Sequence, residues 1–158
     1  MINLKILAKF LVKAKINTYA SNGSEITPQR PGFNELEFIE RDLEYRDSYC
    51  GFFSAPGQEI VRYKGKPVWN MAYNGGMSKE YISNIEFSGK VYKFLKEALK
   101  KVEESKPFRG PNNLKQGNFE YINVSSGNIA SFKGTEKIFY QGKEVFRQDY
   151  IGGLIIDK

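Results

Sequence analysis

The sequence predicts an α+β fold, one domain over residues 1–158, made of two related units that each carry one helix and four strands. Three observations lead there. The stretch YKGKPVWNMAYNGG, Tyr63–Gly76, returns as YQGKEVFRQDYIGG, Tyr140–Gly153. A segment with helical apolar spacing stands well ahead of each copy. Short alternating runs bounded by turn residues fill the space between, so about eight mostly antiparallel strands are expected.

The first helix is read from Leu4, Leu7, Leu11 and Ala14, which share one face, while Lys5, Lys9 and Lys13 line another. Lys9 and Lys13 interrupt the apolar run, which argues against a signal peptide or a membrane span. Strands are expected at Glu35–Glu40, Leu43–Cys50, Gln58–Tyr63 and Lys66–Tyr73. In the second unit Ser88 caps a helix over Gly89–Glu104, with Val91, Phe94, Leu95, Ala98, Leu99 and Val102 as its apolar stripe. Its strands are expected at Asn118–Ser125, Ile129–Lys133, Thr135–Tyr140 and Lys143–Tyr150, with Arg41-Asp42 and Gly127-Asn128 in the first hairpin turns. Gly65 and Gly142 supply the positive φ that short bulged hairpins require. Alternation puts Trp69, Met71 and Tyr73, matched by Phe146, Gln148 and Tyr150, on one face. Val68, Asn70 and Ala72, matched by Val145, Arg147 and Asp149, go to the other.

Glu59–Gly76 and Glu136–Gly153 align without gaps, and eight of the 18 positions are identical, where roughly one is expected by chance. Upstream, LEF at Leu36–Phe38 is aligned with FEY at Phe119–Tyr121, FLVKA with FLKEA, and PQRP with PFRGP. That alignment makes residues 2–76 and 86–153 the repeat halves. It also gives the first half about six extra residues around SYCGFFSAPG. Two such units, paired face to face, bury their apolar faces and leave a groove along a pseudo-twofold axis.

Composition narrows the chemistry. Histidine is absent and Cys50 is the only cysteine, so no Ser-His-Asp or Cys-His pair, no tetrahedral zinc site and no internal disulfide can form. No cofactor or metal is expected. A lone cysteine is in keeping with a reducing cytoplasm. The net charge of +6 permits weak attraction to anions, but no RRM, KH, zinc-finger or P-loop signature accompanies it.

The motifs FLVKAKINTYA, KGKPVWNMAY, PFRGP and GKEVFRQDYIGGLI together resemble a prokaryotic domain-of-unknown-function family that occurs alone or behind an XRE-type helix-turn-helix segment. The resemblance implies no activity and no catalytic residues. It suggests by analogy a sensor of a small effector. The first helix is expected to begin within a turn of residue 1, leaving no room there for a DNA-reading segment.

Arg30 and Arg109, in proline-flanked loops, are read as a two-sided clamp on an anion, or as ties between each loop and its own unit. Tyr63, Tyr140, Tyr73, Tyr150 and Trp69 are read as walls of the groove, or as core. Arg147 and Asp149 differ from their counterparts Asn70 and Ala72, which makes them an asymmetric element of the site or a solvated ion pair. Glu59 and Glu136, like Glu37 and Glu120, recur, and such carboxylates are read as sharing a proton or binding a metal, or as strand-end groups solvated or bonded to lysine. The leading functional expectation is a non-catalytic binding module for a small polar or anionic ligand or a protein partner. A histidine-independent enzyme working in the groove, or a basic nucleic-acid-associated protein, stands as the alternative. No membrane partner is expected.

Overall fold

A computed structural model describes residues 2–157. Two helices, α1 (Leu4–Asn17) and α2 (Ile85–Leu99), pack on one face of a single sheet. Its strands are β1 (Glu25–Ile26), β2 (Asn34–Glu40), β3 (Leu43–Tyr49), β4 (Gly57–Tyr63), β5 (Lys66–Met77), β6 (Asn113–Gln116), β7 (Phe119–Asn128), β8 (Ser131–Tyr140) and β9 (Lys143–Leu154). The nine strands are antiparallel throughout and run β1-β2-β3-β4-β5-β9-β8-β7-β6. The sequence leads to the expectation of two units packed sheet against sheet, and the single sheet corrects it. The units join edge to edge through β5 and β9, because both strands are long enough to pair over nine residues, from Trp69 opposite Leu154 to Met77 opposite Phe146.

Local chemistry explains the elements. Asn3 caps α1 by accepting from the Lys5 and Ile6 amides, and Leu7, Leu11 and Ala14 on its inner face are fully buried. Asn84, not Ser88, caps α2, so the helix starts four residues earlier than the sequence reading and ends at Leu99. The hairpins β4–β5 and β8–β9 turn on Lys64-Gly65 and Gln141-Gly142, all four at positive φ, the backbone that two-residue turns need to match strand twist. A bulge follows in each, beside Val61 and beside Ile138. The bulged residues Val68 and Val145 therefore turn toward the helices rather than to the outer face, and both join the core.

Reading outward from the central pair, β4, β3 and β2 on one side stand where β8, β7 and β6 stand on the other. The register fixes the partners. Tyr45 lies opposite Val61 and Tyr121 opposite Ile138, so FEY corresponds to Leu43–Tyr45 (LEY) and not to LEF, which lies one strand farther out. The matching turn is Gly117-Asn118, where Gly117 has φ 58° beside 57° at Arg41. The two expected strands form one, β8, because Gly134 keeps its place in the ladder opposite Tyr150; Ile129 and Ala130 make the turn before it, and Gly127-Asn128, expected as a turn, ends β7. The six-residue excess disappears with this correction. Residues 50–56 in the first half and 126–133 in the second are nearly equal in length but differ in form. The second continues as a hairpin, whereas Gly51 at φ 87° and Pro56, which lacks an amide hydrogen, take the first out of the ladder.

The core falls into two clusters. Leu7, Leu11, Tyr45, Val61, Trp69 and Phe132 meet under α1, and Val91, Leu95, Tyr121, Ile138 and Phe146 meet under α2. The opposite sheet face stays open along β5 and β9, with Ala72, Asn74, Arg147, Asp149 and Ile151 exposed. Among the described residues no helix is long and apolar enough to cross a membrane.

Candidate functional site

Between the two clusters, on the helix side of the central strands, runs a belt of buried polar groups. Strand alternation aims Asp47, Glu59 and Glu136 inward, and they are 4%, 2% and 0% exposed. Glu59 and Glu136 are thus interior groups rather than solvated strand ends. Lys15, four residues on from Leu11, comes down from α1 onto Glu59. Arg109, in the segment after α2, donates to Glu136 Oε1 through Nε (3.0 Å) and Nη2 (2.6 Å), and its Nη1 stands 3.7 Å from Glu59. Tyr121 (2.7 Å) and Gln148 (3.0 Å) complete the donors to Glu136. Burial lowers the Lys15 pKa, against the pull of Glu59. Burial also opposes the charge on Arg109, but Glu136 outweighs it and holds the guanidinium charged.

Asp47 is the exception in this belt. Tyr73 donates to its Oδ1 at 2.6 Å, and no other hydrogen bond reaches that carboxyl group among the described residues. Lys15 and Arg109 are two cations among three carboxyl groups. Burial, then the charge of Glu59, pushes Asp47 up to about 7. Burial and the neighbouring Asp47 carry Tyr73 well above the usual phenol range.

Asp47 lies on the floor of a cavity of about 200 Å³, with Gln148 and Arg109 beside it. The walls are Tyr19, Tyr49, Phe52, Tyr73, Tyr92 and Phe146, and Lys96 stands at the rim. Register shows why there is room. In the second half Phe132 lies opposite Gly152 and stacks between Trp69 (5.6 Å) and Phe108 (3.8 Å). At the corresponding place in the first half Ala55 lies beside Gly75, with its amide on the Gly75 carbonyl at 2.9 Å, and no ring fills the space. The same comparison sets Asp47, opposite Glu59, against Asn123, opposite Glu136. Tyr150 donates to Asn123 at 2.7 Å as Tyr73 does to Asp47, but the Asn123 amide is spent on the Gly110 carbonyl. A void of about 20 Å³ between Lys15, Glu59 and Arg109 adjoins the cavity and has room for one water molecule.

A larger groove of about 710 Å³ runs over the open sheet face, past Ala72, Val124, Lys133, Asp149 and Ile151. It is shallow, and Asp149 already accepts from Thr135 and faces Arg147 at 3.7 Å. Among the described residues it holds no buried carboxyl group or cation, so the smaller, deeper cavity is the stronger site.

Over residues 47–155 the sequence matches the model of a domain of unknown function, DUF5680. The chain belongs to the DUF5680 family. The match opens at Asp47 and includes Glu59, Tyr73, Arg109, Glu136 and Gln148, whereas Lys15 and Tyr19 lie ahead of it. No curated protein and no solved structure matches this DUF5680 chain.

Of the residues singled out from the sequence, Tyr73, Tyr150 and Arg109 come together in the buried belt of the DUF5680 domain. Tyr73 and Tyr150 are direct cross-strand neighbours in the β5–β9 ladder. Arg30 does not join Arg109. It is half-exposed beside Phe33 (4.2 Å) and 3.7 Å from Glu35, whose side chain belongs to the outer face. Tyr63 is 37% exposed at a hairpin end, and Tyr140 packs on Phe87 and Phe119 under α2. Trp69 is core, its indole N–H donating to the Ile129 carbonyl at 3.1 Å. Arg147 and Asp149 pair on the outer face. Lys15, Asp47 and Gln148 escaped notice as site residues, although each had a signal. Lys15 continues the Leu7–Leu11 helical row, Asp47 has the parity of Leu43 and Tyr45, and Gln148 that of Phe146 and Tyr150.

Proposed function

We propose that this DUF5680 domain is a non-catalytic binding module that takes a small polar ligand in the cavity above Asp47. The observation that carries the reading is the loss of symmetry at one place. Where the second half has Phe132 and Asn123, the first has Ala55 and Asp47, which leaves space and a carboxyl group with spare hydrogen-bonding capacity together. A cavity of about 200 Å³ is below the range of roughly 300–1,000 Å³ usual for drug-sized ligands, so the ligand is small. The clamp of Arg30 and Arg109 on an anion has no support in this geometry, because the two lie on different faces and Arg109 is held by Glu136.

In this reading the protein is prokaryotic and cytoplasmic, and the module acts as an effector sensor, alone or behind an XRE-type segment. A second reading draws on Asp47. A carboxyl group that titrates near neutrality beside a cavity is suited to general acid–base work. The binding reading is favoured because among the described residues no second carboxyl group lines the cavity and Tyr73 already donates to Asp47.

Amide chemical-shift mapping of the full chain against a small-fragment library tests the proposal. Hits are expected to move the amides of Asp47, Gly75 and Gln148, and Ala55→Phe, which restores the ring of the other half, is expected to abolish them. Hits that cluster only on the open sheet face refute it.

A further inference from the structure

We infer that the ligand of this cavity carries a compact protonated amine, seated on the Asp47 carboxylate and enclosed by tyrosine and phenylalanine rings. The inference rests on the reading of the cavity as a ligand site and adds the sign of the ligand's charge.

Three features converge on it. Asp47 is nine-tenths buried and lines the cavity, yet among the described residues only Tyr73 donates to it. An ammonium group brings three donors and no acceptor, the complement of a carboxylate oxygen with none. Charge count points the same way. Asp47, Glu59 and Glu136 exceed Lys15 and Arg109 by one, so one ligand cation makes three against three. The walls fit too, since aromatic faces attract ammonium groups. Two of them already do so within the protein, with Lys96 Nζ 4.7 Å from the Tyr19 ring centre and Arg109 Cζ 5.7 Å from that of Tyr73. Lys96 opposes a ligand cation only at the rim, where Asn22 holds it. Arg109 is turned onto Glu136.

Proton exchange accompanies binding. The groups that face Asp47 are Lys15 from α1, Tyr45 and Tyr49 on its own strand, Glu59 from β4, Tyr73 from β5, Tyr19 and Arg109. Within this set Asp47 is the carboxyl group pushed up to about 7. Below neutrality it holds a proton that an incoming ammonium displaces, so amine affinity rises from pH 5.5 to pH 8.

Benzylamine, benzyl alcohol and benzoate share a ring and differ in charge, which makes them suitable probes. Each is titrated into the full chain at pH 5.5 and pH 8, followed by amide shifts and by calorimetry in two buffers of different ionisation enthalpy. Benzylamine is expected to shift Asp47, Gly75 and Gln148 and to bind at least tenfold tighter than the alcohol at pH 8, with proton release near pH 7. Asp47→Asn, the residue that the other half uses, is expected to fold and to remove both the preference and the proton release. If the alcohol or benzoate moves the same amides as strongly as benzylamine, the charge inference falls while the cavity reading stands. If none of the three moves them, both fall.

Discussion

Replacing Asp47 by asparagine should stabilise this protein, by an amount that grows as pH rises from about 4 to 7. In the folded chain the carboxyl group is pushed from its ordinary 3.8 up to about 7, by burial first and by Glu59 second. The folded state therefore holds this proton more tightly than the unfolded chain. Stability from this group is complete below about pH 4 and declines as pH climbs toward 7, after which the penalty is constant. At about 1.4 kcal/mol per pH unit the rise corresponds to about 4 kcal/mol. Water in the adjoining cavity and relaxation of the site reduce that, and about 2 kcal/mol is expected at pH 8. Asparagine keeps the acceptor for Tyr73, as Asn123 keeps one for Tyr150. With a urea slope of about 2 kcal/mol per molar, the midpoint of Asp47→Asn should lie about 1 M above the parent at pH 8 and converge on it below about pH 3.5. The chain has no histidine, so few other side chains titrate across the window. A variant less stable than the parent at pH 8, or one that keeps the parent's slope between pH 5 and 8, refutes the reasoning.

Arg109→Met leaves Glu136 buried without the two N–H donors on its Oε1 and should cost about 3–5 kcal/mol in the same urea assay; a loss below about 1 kcal/mol would show that the pair is not held dry. Gly57→Ala and Gly134→Ala each place a methyl group in the ring of Tyr73 or Tyr150, and both should destabilise by about 1–3 kcal/mol in thermal denaturation, with an unchanged melting temperature counting against the ring positions. Binding to random oligonucleotides is expected to be weak and absent by about 0.2 M salt, whereas sub-micromolar affinity persisting there would revive the nucleic-acid reading.

The hairpins were legible in the sequence because their turn chemistry is local. Lys64-Gly65 and Gln141-Gly142 mark them whatever the rest of the chain does. The first helix was legible from Leu7, Leu11 and Ala14, because a 3.6-residue period survives any tertiary setting. Strand β6 was missed, since Asn113–Gln116 has no apolar alternation and exists by pairing with Phe119–Ile122. The break at Gly134 misled because a glycine reads as punctuation, and only the ring of Tyr150, from a strand met later in the chain, explains its place. The candidate site was half legible. Recurrent Glu59 and Glu136 were visible, but their burial depends on Lys15 and Arg109, which arrive from segments distant in sequence.

The β5–β9 ladder has a kinetic consequence. Every other pairing in the sheet joins consecutive strands, so each half can assemble from local hairpins within its own stretch of chain. Among the strand pairings only this ladder joins the halves, and it pairs Tyr73 with Tyr150 across 77 positions. Closing that loop costs about 4 kcal/mol of chain entropy before its bonds form, which makes it the late step of folding. Until then each half presents a twelve-residue edge, and the β9 edge of a neighbouring molecule fits β5 as well as its own does. Refolding at high concentration should thus partition between monomer and a dimer with exchanged halves, the dimer gaining as concentration rises.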